Sequence, residues 1–485
     1  MTNKTSPARA GRTKKEHMKH VGIIGGGFSG TLTAIQLIQK CLGPLKITVI
    51  SDGETLNRGI AFHPYSKKHL LNVMAQNMSA FPDRPTHFMD WLMLHPSYRD
   101  DDRTLIGQSF LPRYIFGEYL VQLWEKAKLL AVHKNIDLQV IDSWVTYLDK
   151  EGEMIHISTS LGHGLFCHEA VIATGNQIPR NHTIPNNSFY TQSDNYFQNP
   201  WDPAAVSHLP KHLPILLIGN GLTMVDTVLG LLENGFSEKI ISVSPNGFNL
   251  LPHRHNGIAY TKLIEEASPG MNLLDWLNLV NKHRKKVRKL GISAEPIIDS
   301  LRSHSQDIWR NLSLQEREIF MRRLRHLWGV ARHRVPLQIH DKIQNLRLQK
   351  KLDVYAGRIQ NMVDGGDFVR IEIKDKNKSK ILKMDVARVI NCSGPESDIS
   401  LMDEHTFLKN CLKAGLLRQD PLKLGIDAEW PGMRVINDNG NAQTNIYTLG
   451  SNLRGVLWES TAVKELREQA ANLAEILKER IMNER

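Results

Sequence analysis

Cysteine is scarce in this sequence, and the four that occur, Cys41, Cys167, Cys392 and Cys411, stand far apart. With no Cys-x-x-Cys pair, the chain has neither a disulfide framework nor the neighbouring thiols through which disulfide reductases pass electrons. Such usage fits a reducing compartment, so a cytoplasmic location is expected. Long apolar runs are missing too. Segments such as Ile215 to Ile218 and Val386 to Ile390 are short, whereas a bilayer span needs about 20 residues. There is no His-Glu-x-x-His and no close Cys/His quartet, and His253-Arg254-His255 has no further ligand near it, so no metal site is expected. No Gly-x-Ser-x-Gly elbow stands in a strand–turn–helix setting.

Residues 1–17 carry Arg9, Arg12, Lys14 and Lys15 without an apolar segment or a cleavage site, and read as a disordered, solvated basic tail rather than a secretory signal. The formal net charge is +11, densest at residues 283–289 and 322–325. Aromatic residues do not interleave with those runs as base stacking requires. They read as solvated helix faces or anion contacts, and no specific nucleic-acid partner is expected.

What is present is nucleotide-binding architecture. A length of 485 residues, 41% hydrophobic and 23% charged, suits two or three globular domains. The buried-strand pattern Val21 to Ile24 runs into Gly25-Gly26-Gly27-Phe28-Ser29-Gly30, and apolar residues at helical spacing follow from Leu32 to Cys41. Gly43-Pro44 ends that helix and Ile47 to Ile50 forms the next strand. This is a βαβ unit in which Gly25 makes the tight turn, Gly27 admits a pyrophosphate and Gly30 lets helix and strand approach. The helix opened by Phe28 and Ser29 would offer free N–H groups and a positive dipole end to the phosphates. Where a carboxylate normally takes the ribose, this chain has Ser51 followed by Asp52, and Asp52 is the expected ribose ligand.

The pattern returns with Ile215 to Ile218, Gly219-Asn220-Gly221 and a helical run opened by Leu222 and Thr223. A further strand follows at Ile240 to Val243. Met224 replaces the third glycine and should hold helix and strand further apart. The second strand ends at Ser244 without a carboxylate to repel a 2′-phosphate, so NADP is tolerated, with Arg254 the nearest cation and Arg332 or Arg334 behind it. Two buried strands end in a small polar residue and glycine, at Thr174-Gly175 and at Ser393-Gly394, and read as equivalent crossings between the dinucleotide domains.

Together these pieces resemble the two-dinucleotide-domain flavoproteins, in particular a bacterial FAD-NAD(P)-binding oxidoreductase family related to class B flavoprotein monooxygenases and amine N-hydroxylases. The resemblance also rests on Arg58 to Phe62, His69 to Val73, Met78 to Pro82, Leu111 to Tyr114, Gly221 to Asp226, Asn391 to Glu396 and the stretch from Tyr447 through Leu457 to Ala462. It implies an α/β fold of two Rossmann-like domains, glutathione-reductase-like, with a helical insertion. It further implies FAD and NAD(P)H, NADPH preferred, as cofactors, and a small-molecule substrate. Arg58, Asn72 and Thr461 would lie near FAD, and Gly450 would end the last strand beside the flavin. Ser451 stands where many flavoproteins place an aspartate. The order implies an FAD domain at residues 18–205 and 381–485, interrupted by a nicotinamide domain at 206–380 with a helical excursion at about 271–350. The resemblance favours a monooxygenase; a dehydrogenase or reductase without oxygen insertion, and a non-catalytic dinucleotide-binding protein, are the alternatives.

Overall fold

The structure, a computed structural model, describes residues 18–254, 259–376 and 380–483. The expected basic tail at residues 1–17 and His255 lie outside the described residues. Two sheets organise the chain. In spatial order the first has six strands: Arg434–Ile436, Ala442–Thr448, Glu169–Ile172, Lys19–Ile24, Leu45–Ser51 and Ile136–Asp142. All neighbours are parallel except the first pair. Parallel strands are covered on both faces, which is why they read as continuous apolar runs; Val21, Ile23, Ile47 and Val49 are wholly buried.

The helix Phe28–Lys40 lies on this sheet with Leu32, Ile35, Leu37 and Ile38 inward. It is flanked by the helix Arg113–His133 and by Val463–Asn483 in one shared core. Each such side chain contributes about 1.5–3 kcal/mol on burial. A salt bridge of 2.9 Å from Lys40 to Glu475 closes the seam between the first and last helices.

The second sheet has seven strands, in the order Ile381–Val386, Val369–Asp375, Leu352–Asp364, Ile240–Ser244, Ile215–Ile218, Arg388–Asn391 and Tyr196–Phe197. Its central strands are parallel, and an antiparallel meander extends one edge. This corrects the expected domain boundaries. Residues 196–197 pair with Arg388–Asn391, and residues 381–391 belong to the second sheet, because the meander and the return strand complete that sheet before the chain crosses back. Met224 is buried in the second core, which it fills where the first domain has a glycine.

Helices occupy residues 262–348, including Leu273–Lys289 and Leu314–Arg323. Both begin with capping boxes, Asn272 with Asp275 and Ser313 with Glu316. The Leu273 N–H also donates to Glu316 at 2.7 Å, joining the two helix starts. This excursion docks on the first domain: Trp309 stacks on Trp458 at 5.1 Å and its indole N–H donates to the Gly455 carbonyl at 2.7 Å. Of the basic runs, Arg284, Lys285, Lys286, Arg322 and Arg323 are exposed on helix faces, whereas Arg325 turns inward and is half-buried. Among the described residues no helix is long and apolar enough to cross a membrane.

The two turns differ in how much room they leave. A Cβ on Gly30 would lie 1.9 Å from the Gly25 carbonyl oxygen, while one on Gly221 would meet nothing within 4 Å. Gly30→Ala is therefore expected to lower stability by about 3 kcal/mol or more, and Gly221→Ala to leave it within about 0.5 kcal/mol, as read by denaturant titration of each variant.

Candidate functional site

The same contact recurs at the head of each sheet. Gly25, at φ +103°, faces the Ala173 carbonyl, and a Cβ there would lie 2.4 Å from that oxygen. Gly219, at φ +118°, faces the Cys392 carbonyl, and its Cβ would lie 2.3 Å away. Only glycine adopts this backbone with a carbonyl so near. The return strands Glu169–Ile172 and Arg388–Asn391 thus stand in equivalent relation to the two glycine turns.

Beyond each turn the helix begins without a side-chain cap, at Gly27 in the first domain and at Gly221 in the second, and neither first turn holds a carboxylate. The leading N–H groups, at Phe28 and Ser29 and at Leu222 and Thr223, are left to an external acceptor. A Cβ on Gly27 would find only the Gly59 Cα, at 3.5 Å. Both turns are cradles open to a pyrophosphate.

Around the first turn the structure gathers Gly25, Gly27, Phe28, Ser29, Gly30, Arg58, Thr174, Gly450 and Ser451. Arg58 donates to the Glu54 carbonyl at 3.1 Å, and its Nε is buried with no partner. Gly450, at φ +77°, approaches Ser29, whose Oγ would lie 3.2 Å from a Cβ there. Its N–H donates to Gln469 at 2.8 Å and its carbonyl accepts from Ser460 at 2.7 Å. Ser451 Oγ is buried and unpartnered. Two orphaned polar groups beside an open glycine cradle fit the FAD expected there, since burying such groups without a partner costs about 1–3 kcal/mol each. Thr174 shares a hydrogen bond of 3.2 Å with Asn452, which also donates to Thr448. Gly175 is exposed, with nothing within 4 Å of its Cβ position. Sequence reasoning missed Asn452 and Gln469, which brace this loop from different elements; no spacing rule joins them to the glycine turn.

Asp52 accepts from the Glu54 N–H at 3.1 Å and the Thr55 hydroxyl at 3.4 Å, so its carboxylate also closes the turn after its strand. Thr461 is exposed two residues before the last helix. Gly394, at φ +97°, has open space at its Cβ position. Arg254 makes an ion pair of 3.2 Å with Glu295, which Arg334 also contacts at 2.7 Å.

Asn72 belongs to a contact between the domains. Its carbonyl accepts from His253 at 3.0 Å, and nearby Arg113 pairs with Asp226 at 2.9 Å. Arg113 also donates to the Leu70 carbonyl at 3.0 Å, and His69 to the Asp226 carbonyl at 2.9 Å. Burial lowers the pKa of both histidines, keeping them neutral. The motifs around His69, Arg113 and Asp226 therefore form a clamp that holds one glycine turn relative to the other.

Residues 22–177 match the family described as FAD-NAD(P)-binding. No curated protein matches the chain in sequence. Among solved structures, it is similar to L-lysine 6-monooxygenase from Pseudomonas syringae, with TM-score 0.63 and 17% identity, covering 96% of this chain and 100% of that one. Ornithine hydroxylase from Pseudomonas aeruginosa gives TM-score 0.63 and 15% identity over 95% and 99% of the two chains. Ornithine N-hydroxylase from Kutzneria sp. 744, solved with reduced FAD, NADP+ and L-ornithine, gives 0.60 and 13% over 96% and 99%. The fold is thus that of the two-domain FAD- and NAD(P)-binding flavoproteins. Within it, the stretch that matches the FAD-NAD(P)-binding family contains the first glycine turn and its return strand.

Asp226→Ala is expected to cost about 1–3 kcal/mol, because it leaves Arg113 partly buried without its carboxylate, and to increase proteolysis of the 66–73 segment. Unchanged stability and protease resistance would remove the clamp's role.

Proposed function

We propose that this chain is a cytoplasmic, FAD-dependent and NAD(P)H-using monooxygenase that oxygenates a small nucleophilic substrate. The observation that carries the reading is the pair of open, uncapped glycine turns held in register, one flanked by the orphaned polar groups of Arg58 and Ser451. One cradle suits a retained FAD at Gly25 to Gly30, with Thr174, Gly450 and Ser451 around it. The other suits an exchanging nicotinamide dinucleotide at Gly219 to Thr223, near Gly394.

When bound, FAD supplies the redox chemistry, accepting reducing equivalents from the nicotinamide and delivering them to oxygen. The chain's own task is to bind, orient and exclude water. Burial raises the pKa of Cys167, Cys392 and Cys411 to about 12, so these thiols stay protonated. All four cysteines are buried and unbridged, which disfavours a route through a thiol pair and favours oxygen as acceptor. The similarity to lysine and ornithine hydroxylases supports the same reading, and an amine nitrogen is a fitting nucleophile.

NADPH fits the second turn better than NADH, since Ser244 leaves no carboxylate to repel a phosphate. Arg254 must leave Glu295 to meet that phosphate. Arg347, which reaches Asn249 at 2.8 Å beside Asn220, is a second cation for it.

Two substitutions separate the cradles. Gly27→Val puts a side chain in the pyrophosphate path, and the purified variant is expected to be folded and colourless. Gly221→Val is expected to keep the flavin spectrum and to slow anaerobic reduction by NADPH about 10- to 100-fold, equivalent to about 1.4–2.7 kcal/mol. Full FAD retention by the first variant, or unaltered reduction of the second, refutes the assignment. Oxygen uptake stoichiometric with product separates a monooxygenase from a reductase.

Selectivity tests the phosphate contact. Arg254→Ala or Arg347→Ala is expected to weaken NADPH use about 10- to 150-fold and spare NADH, as a lost charge-assisted contact requires. Steady-state kinetics with both nucleotides reads the difference, and equal loss for both points to a structural role.

A further inference from the structure

Residues 450–460 link the strand Ala442–Thr448 of the first sheet to the last helix, and they are held from both domains. Gly450 opens the segment against Ser29 at the first cradle, and the Asn452 side chain donates to Thr174 and Thr448 of the same domain at 3.2 and 3.1 Å. From Gly455 onward the helical excursion takes part. The Trp309 indole donates to the Gly455 carbonyl at 2.7 Å, and the Trp458 ring packs on Trp309 and Phe320 with centroids 5.1 and 5.2 Å away. The Gln306 amide donates to the Glu459 carbonyl at 2.8 Å.

Glu459 is the charged residue of this contact. Its side chain is 9% exposed, and the carboxylate accepts from the Trp328 indole at 2.9 Å and lies 3.2 Å from Arg332. Taking a carboxylate out of water is costly unless a cation and hydrogen-bond donors replace the water. Among the described residues both direct partners of the carboxylate come from the excursion, which is inserted between the second-domain strands Ile240–Ser244 and Leu352–Asp364. Glu459 keeps these contacts only while the excursion is docked.

The next residue connects this pair to the cradle. The Ser460 hydroxyl donates to the Gly450 carbonyl at 2.7 Å and accepts from Gln469 at 2.9 Å, while Gln469 accepts from the Gly450 N–H at 2.8 Å. Gly450 is thereby fixed on both its N–H and its carbonyl. A Cβ at Gly450 would lie 3.2 Å from the Oγ of Ser29, which supplies one of the leading N–H groups of the first helix.

We propose that Glu459 is a positioning residue for FAD: held by Trp328 and Arg332 of the second domain's excursion, it sets Ser460 and Gly450 at the first cradle, so that FAD binding and docking of the excursion favour each other. The inference rests on the reading of the first cradle as an FAD site. Coupling of this kind is reciprocal, because a ligand that binds the docked arrangement more tightly also stabilises that arrangement.

Titration of the full-length apoprotein with FAD, followed by quenching of the flavin fluorescence, tests the role. Glu459→Gln keeps an acceptor for the Trp328 indole and removes the charge facing Arg332, and is expected to weaken FAD binding about 10-fold or more. Trp328→Phe keeps an aromatic ring and removes one donor, and is expected to weaken it about 3- to 10-fold. Both variants should hold NADP+ with a dissociation constant within about twofold of the wild-type value. Unchanged FAD affinity in both variants overturns the proposal. So does a parallel loss of both nucleotides, which would mark Glu459 as a support of the fold alone.

Hydrogen exchange on the wild type tests the coupling without any substitution. Saturating FAD is expected to slow amide exchange across residues 305–332 by up to about 10-fold, the reciprocal of the affinity effect, although those residues belong to the other domain. Bound FAD with no protection of the excursion overturns the proposal and leaves the flavoenzyme reading standing. A wild-type chain that takes up no FAD refutes that reading itself.

Discussion

Two backbone carbonyls, of Ala173 and Cys392, press on Gly25 and Gly219, and the placement of both candidate sites depends on those contacts. In each domain a parallel strand returns beside the first strand and ends against the glycine that turns the chain into its helix. The contact leaves no room for a Cβ and needs a positive φ, so a glycine is required in both domains. It also fixes where the helix begins, and hence where uncapped N–H groups point. The first domain tightens the arrangement further through Gly30, whereas Met224 fills the corresponding position in the second.

Two dinucleotide cradles are useful together only if they hold a set relation, and the structure connects them in two places. Arg113, Asp226, His69 and His253 join the domains directly. The helical excursion, rooted in the second domain, stacks Trp309 on Trp458 of the first. The chain crosses between domains near Gly175 and Gly394, both at positive φ and both with open space at their Cβ positions. Rigid contacts thus surround two permissive crossing points.

Charge follows the same division. Where arginines hold the architecture they are matched, as Arg334 is by Glu295 and Asp299, and Arg332 by Glu459. Near the first cradle, Ser451 and Arg58 keep buried atoms without partners. Folded proteins retain such groups mainly where function uses them.

The sequence by itself determined the two βαβ units, because short continuous apolar runs, helical spacing and glycines at fixed offsets are local signals. It also determined the isolation of the four cysteines and the helical character of the region after residue 271. It did not place the domain boundaries, since the assignment of residues 196–197 and 381–391 to the second sheet depends on pairing between distant strands. The motifs around His69, Asn72 and Arg113 were legible as motifs, yet only the tertiary structure made them an interdomain clamp. Likewise Arg325 read as one charge of a basic run until the fold turned it inward, because burial is set by contacts between segments far apart in the chain.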